Sequence, residues 1–172
     1  MRIGHGYDVH QLVNREKYLE TYPNRKNPEL ILGGVIIPHN KVLLGHSDAD
    51  LVLHALMDAL LGAAALEDIG HHFSDKDEKF AQISSIELLR QVKDLLAEKK
   101  YSISNIDITV IAEKPKMRPH IPAMKEEISK VLGISLDQLN IKATTTEGLG
   151  FVGREEGMAA EAVVVIMRSE AT

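Results

Sequence analysis

The sequence contains no cysteine and no tryptophan, and aromatic residues make up only 4% of its 172 positions. Without cysteine there are no disulfides and no thiolate metal sites, so a metal would have to be held by histidine and carboxylate. The same absence fits a reducing compartment such as the cytoplasm. An excess of positive charge is missing too: 20 Lys and Arg stand against 25 Asp and Glu, a net charge of −5. That balance argues against a general nucleic-acid or anionic-membrane binder, and leaves room for a local basic pocket. No apolar run of membrane-spanning length and no signal or transit peptide is present in the sequence, so the chain is expected to be soluble and unprocessed. What is present is 44% apolar content, enough for a core, with no repeat or linker to divide residues 1–172; a single domain is expected.

The chemistry begins at Gly4-His5-Gly6-Tyr7-Asp8-Val9-His10. In an extended segment residues two apart share a face, so Asp8 and His10 converge and make half a metal site. D-x-H beside a glycine turn often arises by chance, and on this stretch alone the plain loop reading is favoured. A further ligand should come from a rigid element, and His46-Ser47-Asp48-Ala49-Asp50 opens one. Ser47 suits an N-cap and Asp48 and Asp50 suit the positive end of the dipole, predicting a helix from Asp48 to about Gly62. On it Asp50, His54 and Asp58 lie four apart and form a polar stripe across an otherwise apolar helix. A satisfied core histidine would explain the stripe, and so would a metal-bound one whose other ring nitrogen meets an acceptor.

Along the rest of the chain, Asn14 to Glu29 is charged and aperiodic, and reads as a surface loop. Leu30 to Pro38 reads as a strand with a glycine bulge or turn inside it. Asp68 to Asp77 reads as a polar loop with exposed His71 and His72, whose adjacent side chains diverge. A Ser84/Glu87 capping box starts a second helix, Ile103 to Ala112 alternates as a strand, and Ile121 to Leu132 forms a third helix closed by Gly133. Glu113 to Pro119 is a basic loop that could hold phosphate but on its own reads as solvated, and strands follow at Asn140–Thr145 and Ala159–Arg168. Between them Gly148, Gly150 and Gly153 match G-x-G-x-x-G literally, but a dinucleotide fingerprint opens a helix and needs an acidic residue about 20 positions on; here a strand follows. A flexible loop remains, beside Thr144-Thr145-Thr146-Glu147, whose hydroxyls and carboxylate could serve phosphate and magnesium or simply end a strand. The elements add up to an α+β domain, a sheet with helices on one face.

Taken together, Arg2 to His10, His46 to Asp50, Asp58 to Ala63, Asp68-Ile69-Gly70, Pro115-Lys116-Met117 and Lys142 to Glu147 resemble the 2-C-methyl-D-erythritol 2,4-cyclodiphosphate synthase family, from Met1 to about Arg168. The resemblance implies a ferredoxin-like mixed sheet, assembled as a homotrimer with interfacial active sites. It implies a metal-dependent phosphorus–oxygen lyase of the non-mevalonate isoprenoid route, which closes a cytidine diphosphate substrate into a cyclic diphosphate and releases CMP. Other pathway enzymes are further partners compatible with it.

By the same resemblance Asp8, His10 and His54 would hold a zinc ion, and Glu147 a magnesium or manganese on the substrate diphosphate. His46 and Thr145 would be catalytic. Val9, Ser47, Asp68, Ile69 and Gly70 would contact substrate, and Phe73, Ser74, Asp75, Lys76 and Asp77 would close over its erythritol phosphate. Ala112, Lys116, Met117, Arg118, Thr144 and Thr146 would line the cytidine side, with Phe151 and Arg154 on a late loop. Three positions depart from the commoner pattern: the long Asn14–Glu29 excursion, the His71-His72 and Ser74 positions where a Lys and a Pro are commoner, and Arg118 in place of an apolar residue. A water-activating metallophosphodiesterase would use the same ligands, and a non-catalytic isoprenoid-binding trimer would tolerate loss of the metal.

Overall fold

Strand β1 (Arg2–Asn14) begins the computed structural model, which describes residues 1–74 and 83–168. Its faces alternate: Gly4 and Gly6 are buried, whereas Ile3, His5, Tyr7 and Val9 are exposed. Asp8 and His10 therefore share the covered face with the glycines.

The excursion after β1 is not a featureless loop. Asn14 caps a short helix, α1 (Arg15–Thr21), by accepting from the Lys17 amide at 2.8 Å. Tyr18 is its buried anchor, packed on Val13 and Val42. One buried residue gives no periodicity, so the helix was invisible in the pattern. The expected strand over Leu30–Pro38 resolves into a hairpin of β2 (Leu30–Leu32) and β3 (Val35–Ile37), turning through Gly33 and Gly34 at φ +59° and +78°. Both central positions are left-handed, the geometry that favours glycine in a two-residue hairpin. A short strand β4 (Lys41–Leu43), not expected, then pairs with the end of β1.

Helix α2 (Leu51–Ala64) starts three residues later than expected, with Asp50 as its cap in place of Ser47. The buried Asp50 carboxylate accepts from Leu53 N at 3.1 Å and also from Gly33 N and Gly34 N at 2.8 and 2.7 Å, so it ties the hairpin turn to the helix start. Every residue of α2 except Asp58 and Gly62 is buried. Next comes a single turn, α3 (Ile69–His72), capped by Asp68 where a loop was expected. Helix α4 (Ser85–Glu98) is capped by Ser84, but Glu87 pairs with Arg90 instead of closing a capping box.

Strand β5 (Tyr101–Ile111), helix α5 (Ile121–Leu132), closed by Gly133 at φ +70°, and strand β6 (Leu139–Thr144) follow as expected. The glycine-rich loop contains one helical turn, α6 (Gly150–Gly153), before the last strand, β7 (Gly157–Arg168). The sheet order is β4-β1-β7-β5-β6; β7 runs antiparallel to β1 and β5, and β5 pairs parallel with β6. This is a mixed α+β fold. Leu53, Leu56 and Leu60 of α2, Leu89 of α4 and Ile128 of α5 pack with Ile106, Ile108 and Val164 of the sheet in one core. Tyr7, Val9, Val163 and Met167 remain exposed on the other side of the sheet.

Candidate metal centre

Helix α2 can lie directly on β1 because Gly4 and Gly6 have no side chains. A Cβ at Gly4 would come 1.9 Å from the Ala59 carbonyl oxygen, and one at Gly6 would come 2.0 Å from that of Ala55. Past the glycines the same strand face carries Asp8 and His10, and the helix brings His54 to them. Asp8 Oδ2 lies 3.0 Å from His54 Nδ1 and 3.1 Å from His10 Nε2, and the two nitrogens are 3.3 Å apart. Adjacent ligand atoms of a tetrahedral zinc site, with bonds of about 2.0–2.1 Å, stand about 3.3 Å apart, so these residues fit a metal held by one carboxylate and two imidazoles.

The surroundings fix the direction of each ring. His10 Nδ1 lies 2.8 Å from the Leu44 carbonyl, which can only accept; Nδ1 is therefore protonated, and Nε2 faces the cluster, donating to Asp8 when the ring is charged and offering its lone pair when the ring is neutral. His54 Nε2 meets Ser85 Oγ at 3.0 Å and Ser47 Oγ at 3.3 Å, and Ser85 donates in turn to Asp48 Oδ1. The acceptor expected behind a metal-bound histidine is thus present, but the helix stripe does not supply it. Asp50 is spent on the hairpin turn, and Asp58 accepts from Ile69 N at 2.9 Å. Burial pushes the Asp8 carboxyl up, but hydrogen bonds from His10 and His54 outweigh it and hold Asp8 well below the usual carboxylate range. Burial lowers His10, and the adjacent Asp8 carboxylate more than compensates, raising it above an ordinary imidazole.

The cluster opens into a cavity of about 730 Å³. Of the expected contacts, His46, Ser47, Ile69, Gly70 and Phe73 line it with the three ligands. Thr21 to Arg25 line it as well, so of the two roles open to the long Asn14–Glu29 excursion, covering the site or nothing at all, this part takes the first. Val9 points to the exposed face of β1, because odd-numbered positions face away from α2. Asp68 caps α3 and Ser74 follows it; neither lines the cavity among the described residues. Asp75, Lys76 and Asp77 lie outside the described residues. His71 is exposed and pairs with Glu67, and His72 Nε2 bonds the Leu66 carbonyl, so neither joins the cluster.

The other expected contacts form a second group at the β5 and β6 ends. Ala112 N donates to Thr144 O at 3.0 Å, and Glu113 Oε1 accepts from Thr146 N, Thr146 Oγ1 and Gly148 N at 2.9, 3.2 and 3.3 Å. Glu113 thereby shapes the threonine loop; it is the acid of the basic Glu113–Pro119 loop and gave no separate signal. Thr145 Oγ1 donates to Glu147 Oε1 at 2.6 Å. Met117 is buried, and Lys116, Arg118 and Phe151 are exposed; Arg154 pairs with Glu156 at 2.9 Å. None of these lines the Asp8 cavity, and among the described residues Glu147 does not belong to the metal-type cluster, which is Asp8, His10 and His54.

A family model described as the YgbB family matches residues 1–167. The chain belongs to the YgbB family. The chain is similar to the 2-C-methyl-D-erythritol 2,4-cyclodiphosphate synthase of Clostridium perfringens, 56% identical over 168 residues that cover 98% of this chain and 100% of the relative. The same enzyme of Alkaliphilus metalliredigens is 57% identical over 169 residues, covering 98% and 99%. Among solved structures, the bifunctional IspDF of Campylobacter jejuni superposes with a TM-score of 0.85 at 41% identity, covering 96% of this chain and 42% of that one. IspF of Plasmodium falciparum, solved as a CDP complex, superposes with a TM-score of 0.81 at 34% identity, covering 98% and 97%. In this YgbB-family chain, Ser85 and Asp48 behind His54, and Arg25 beside His46, are the site residues that pattern reading missed. Ser85 sits next to the Ser84 cap and gave no signal of its own, and Arg25 sat in an aperiodic segment.

Proposed function

We propose that this protein is a 2-C-methyl-D-erythritol 2,4-cyclodiphosphate synthase, acting in the non-mevalonate isoprenoid route. It converts 4-diphosphocytidyl-2-C-methyl-D-erythritol 2-phosphate into the cyclic diphosphate and CMP. An oxygen of the 2-phosphate bonds to the β-phosphorus while the bond from that phosphorus to the CMP oxygen breaks. Nucleophile and electrophile share one molecule, so the protein has to fold the substrate, neutralise its charge and stabilise the transferring group. The observation that carries this reading is the Asp8–His10–His54 cluster opening into a 730 Å³ cavity, in a chain 56% identical to a named synthase.

A zinc ion bound there would supply Lewis acidity and positive charge to a phosphoryl oxygen. His46 and Thr145 would donate to the developing charge, and Ser47, Ile69, Gly70 and Phe73 would hold the erythritol phosphate. Asp68, Ser74 and the Asp75–Asp77 segment would complete that end. Ala112, Lys116, Met117, Arg118 and Thr144 to Thr146 would receive the cytidine diphosphate, with Glu147 holding magnesium or manganese; Phe151 and Arg154 would lie on a central cavity.

Homotrimeric assembly with interfacial sites is part of this reading. Among the described residues those of the nucleotide side do not line the Asp8 cavity, and the open sheet face carries exposed Ile3, Tyr7, Val9, Val163 and Met167. A neighbouring copy would bring the missing half. The subunit reads as ferredoxin-like because β1 and β5, joined through helices, are parallel with β7 between them, a split β-α-β. A cytoplasmic location fits a chain in which, among the described residues, no helix is long and apolar enough to cross a membrane. The test is incubation with the candidate substrate and magnesium, followed by phosphorus NMR. Equal amounts of CMP and cyclic diphosphate are expected; a linear phosphate product would make the protein a hydrolase.

A further inference from the structure

We infer that Arg25 is a positioning residue for the His46–Ser47 turn, and that the segment from Asn14 to Arg25 is thereby a working wall of the substrate cavity. The inference rests on the reading of that cavity as the cyclising site. Ordering an aperiodic segment costs conformational entropy, so its contacts must compensate. The Asn14 cap and the buried Tyr18 fix its first half. Its second half is fixed by the Arg25 guanidinium. Nη1 donates to Tyr18 Oη at 2.6 Å and to the carbonyls of Gly45 and Ser47 at 2.9 Å each, and Nη2 donates to the His46 carbonyl. The Tyr22 ring stacks on the guanidinium at 4.3 Å, and its edge meets the His46 ring at 5.9 Å.

One cation therefore grips three consecutive carbonyls of the turn that carries His46 and Ser47 into the cavity. In a trans peptide the N–H points opposite to the C=O, so holding these carbonyls also sets the directions of the His46, Ser47 and Asp48 amides. It fixes where the His46 ring and Ser47 hydroxyl begin. The metal cluster has separate supports: His10 bonds the Leu44 carbonyl, Leu44 N bonds Gln11 O on β1, and His54 leans on Ser85. Loss of Arg25 should disturb the turn and spare the metal ligands. Lysine cannot replace it, because an ammonium is a compact point charge without the planar fork that spans several acceptors.

The experiment compares Arg25→Lys and Arg25→Met with the unaltered full-length protein in zinc content, steady-state kinetics with the candidate substrate, and hydrogen exchange of the peptide spanning residues 44–48. Expected are wild-type zinc content, faster exchange in that peptide, and a kcat lowered roughly 10- to 100-fold with little change in KM, in both variants. Exchange and kcat both within about twofold of wild type for the Lys variant would overturn the inference. A raised KM with unchanged kcat would overturn it too, making Arg25 a substrate contact. If the unaltered protein does not cyclise the substrate, the functional reading fails, and the exchange measurement alone still decides whether Arg25 holds the turn.

Discussion

Replacing Ser85 with alanine tests whether the histidine on α2 is held for metal binding. Ser85 is fully buried, accepts from His54 Nε2 at 3.0 Å and donates to Asp48 Oδ1, while its amide donates to Asp48 Oδ2 at 2.8 Å. The chain of donors runs from His54 Nε2–H to Ser85 to the Asp48 carboxylate, which leaves the Nδ1 lone pair for the metal. Alanine keeps the backbone bond to Asp48 but deletes the acceptor behind His54. Ser47 Oγ, at 3.3 Å and also accepting from Ala49 N, is a weaker substitute. Loss of such an outer partner costs about 10- to 100-fold in metal affinity, or ~1.4–2.8 kcal/mol. Asp48 Oδ1 keeps a longer bond from Asp50 N at 3.3 Å, so losing the serine hydroxyl adds about 0.5–1.5 kcal/mol of destabilisation even without metal. Zinc affinity by chelator competition and thermal unfolding of the metal-free protein separate the two effects. A zinc Kd within about threefold of wild type would refute the reasoning and leave packing as the sole orienter of His54.

His54→Ala removes one of three ligands and should abolish zinc binding, with turnover lower by at least about 100-fold and an unchanged far-UV CD spectrum; retained turnover would disprove the site. Gly6→Ala would force α2 away from β1, because its Cβ falls 2.0 Å from the Ala55 carbonyl oxygen. A loss of about 1–3 kcal/mol or more is expected, read as a Tm lower by at least ~3 °C with weaker zinc binding. Asp50 is buried, and desolvation, reinforced by Asp48, pushes its pKa up to about 6, above an unfolded value near 3.9. The folded state therefore binds more protons between those values, and this group's contribution to stability falls as pH rises from about 4 to about 6. Urea unfolding across that window should show a more negative slope for wild type than for Asp50→Asn; parallel slopes would contradict the assignment.

What the sequence made legible was whatever repeats or concentrates. The apolar run of α2, the face of α4 and the Ile121–Leu132 period all became helices near their expected places. Asp8, His10 and His54 met because their elements were readable. Single-residue anchors were illegible: Tyr18 is the one buried residue of α1, and β4 is only Lys41–Leu43. The cap of α2 was misjudged for a tertiary reason, since Asp50 outcompetes Ser47 by also binding the amides of Gly33 and Gly34. Asp58 looked like a partner for His54 and instead holds Ile69, a contact with no local signature. The separation of the metal ligands from the Thr144–Glu147 group likewise depends on how strands order in space, and strand order is not written in the spacing of either motif.

The position of the metal centre follows from two periods that nearly coincide. Two residues of strand advance about 6.7 Å, and four residues of helix about 6.0 Å. Gly4 faces Ala59 and Ala63, and Gly6 faces Ala55 and Ala59, so each two-residue step along β1 moves the contact back one turn of α2. The next step on the strand is Asp8, and the next turn back on the helix is the one containing His54. Glycine and alanine keep the backbones in contact up to that point, and the first strand side chain large enough to reach across is the carboxylate that binds His54. The glycines are therefore part of the metal site without touching it, because they set the height at which strand and helix ligands meet. A methyl group added there moves the imidazole relative to Asp8 and His10 together, which is why Gly6→Ala should weaken zinc binding as well as stability.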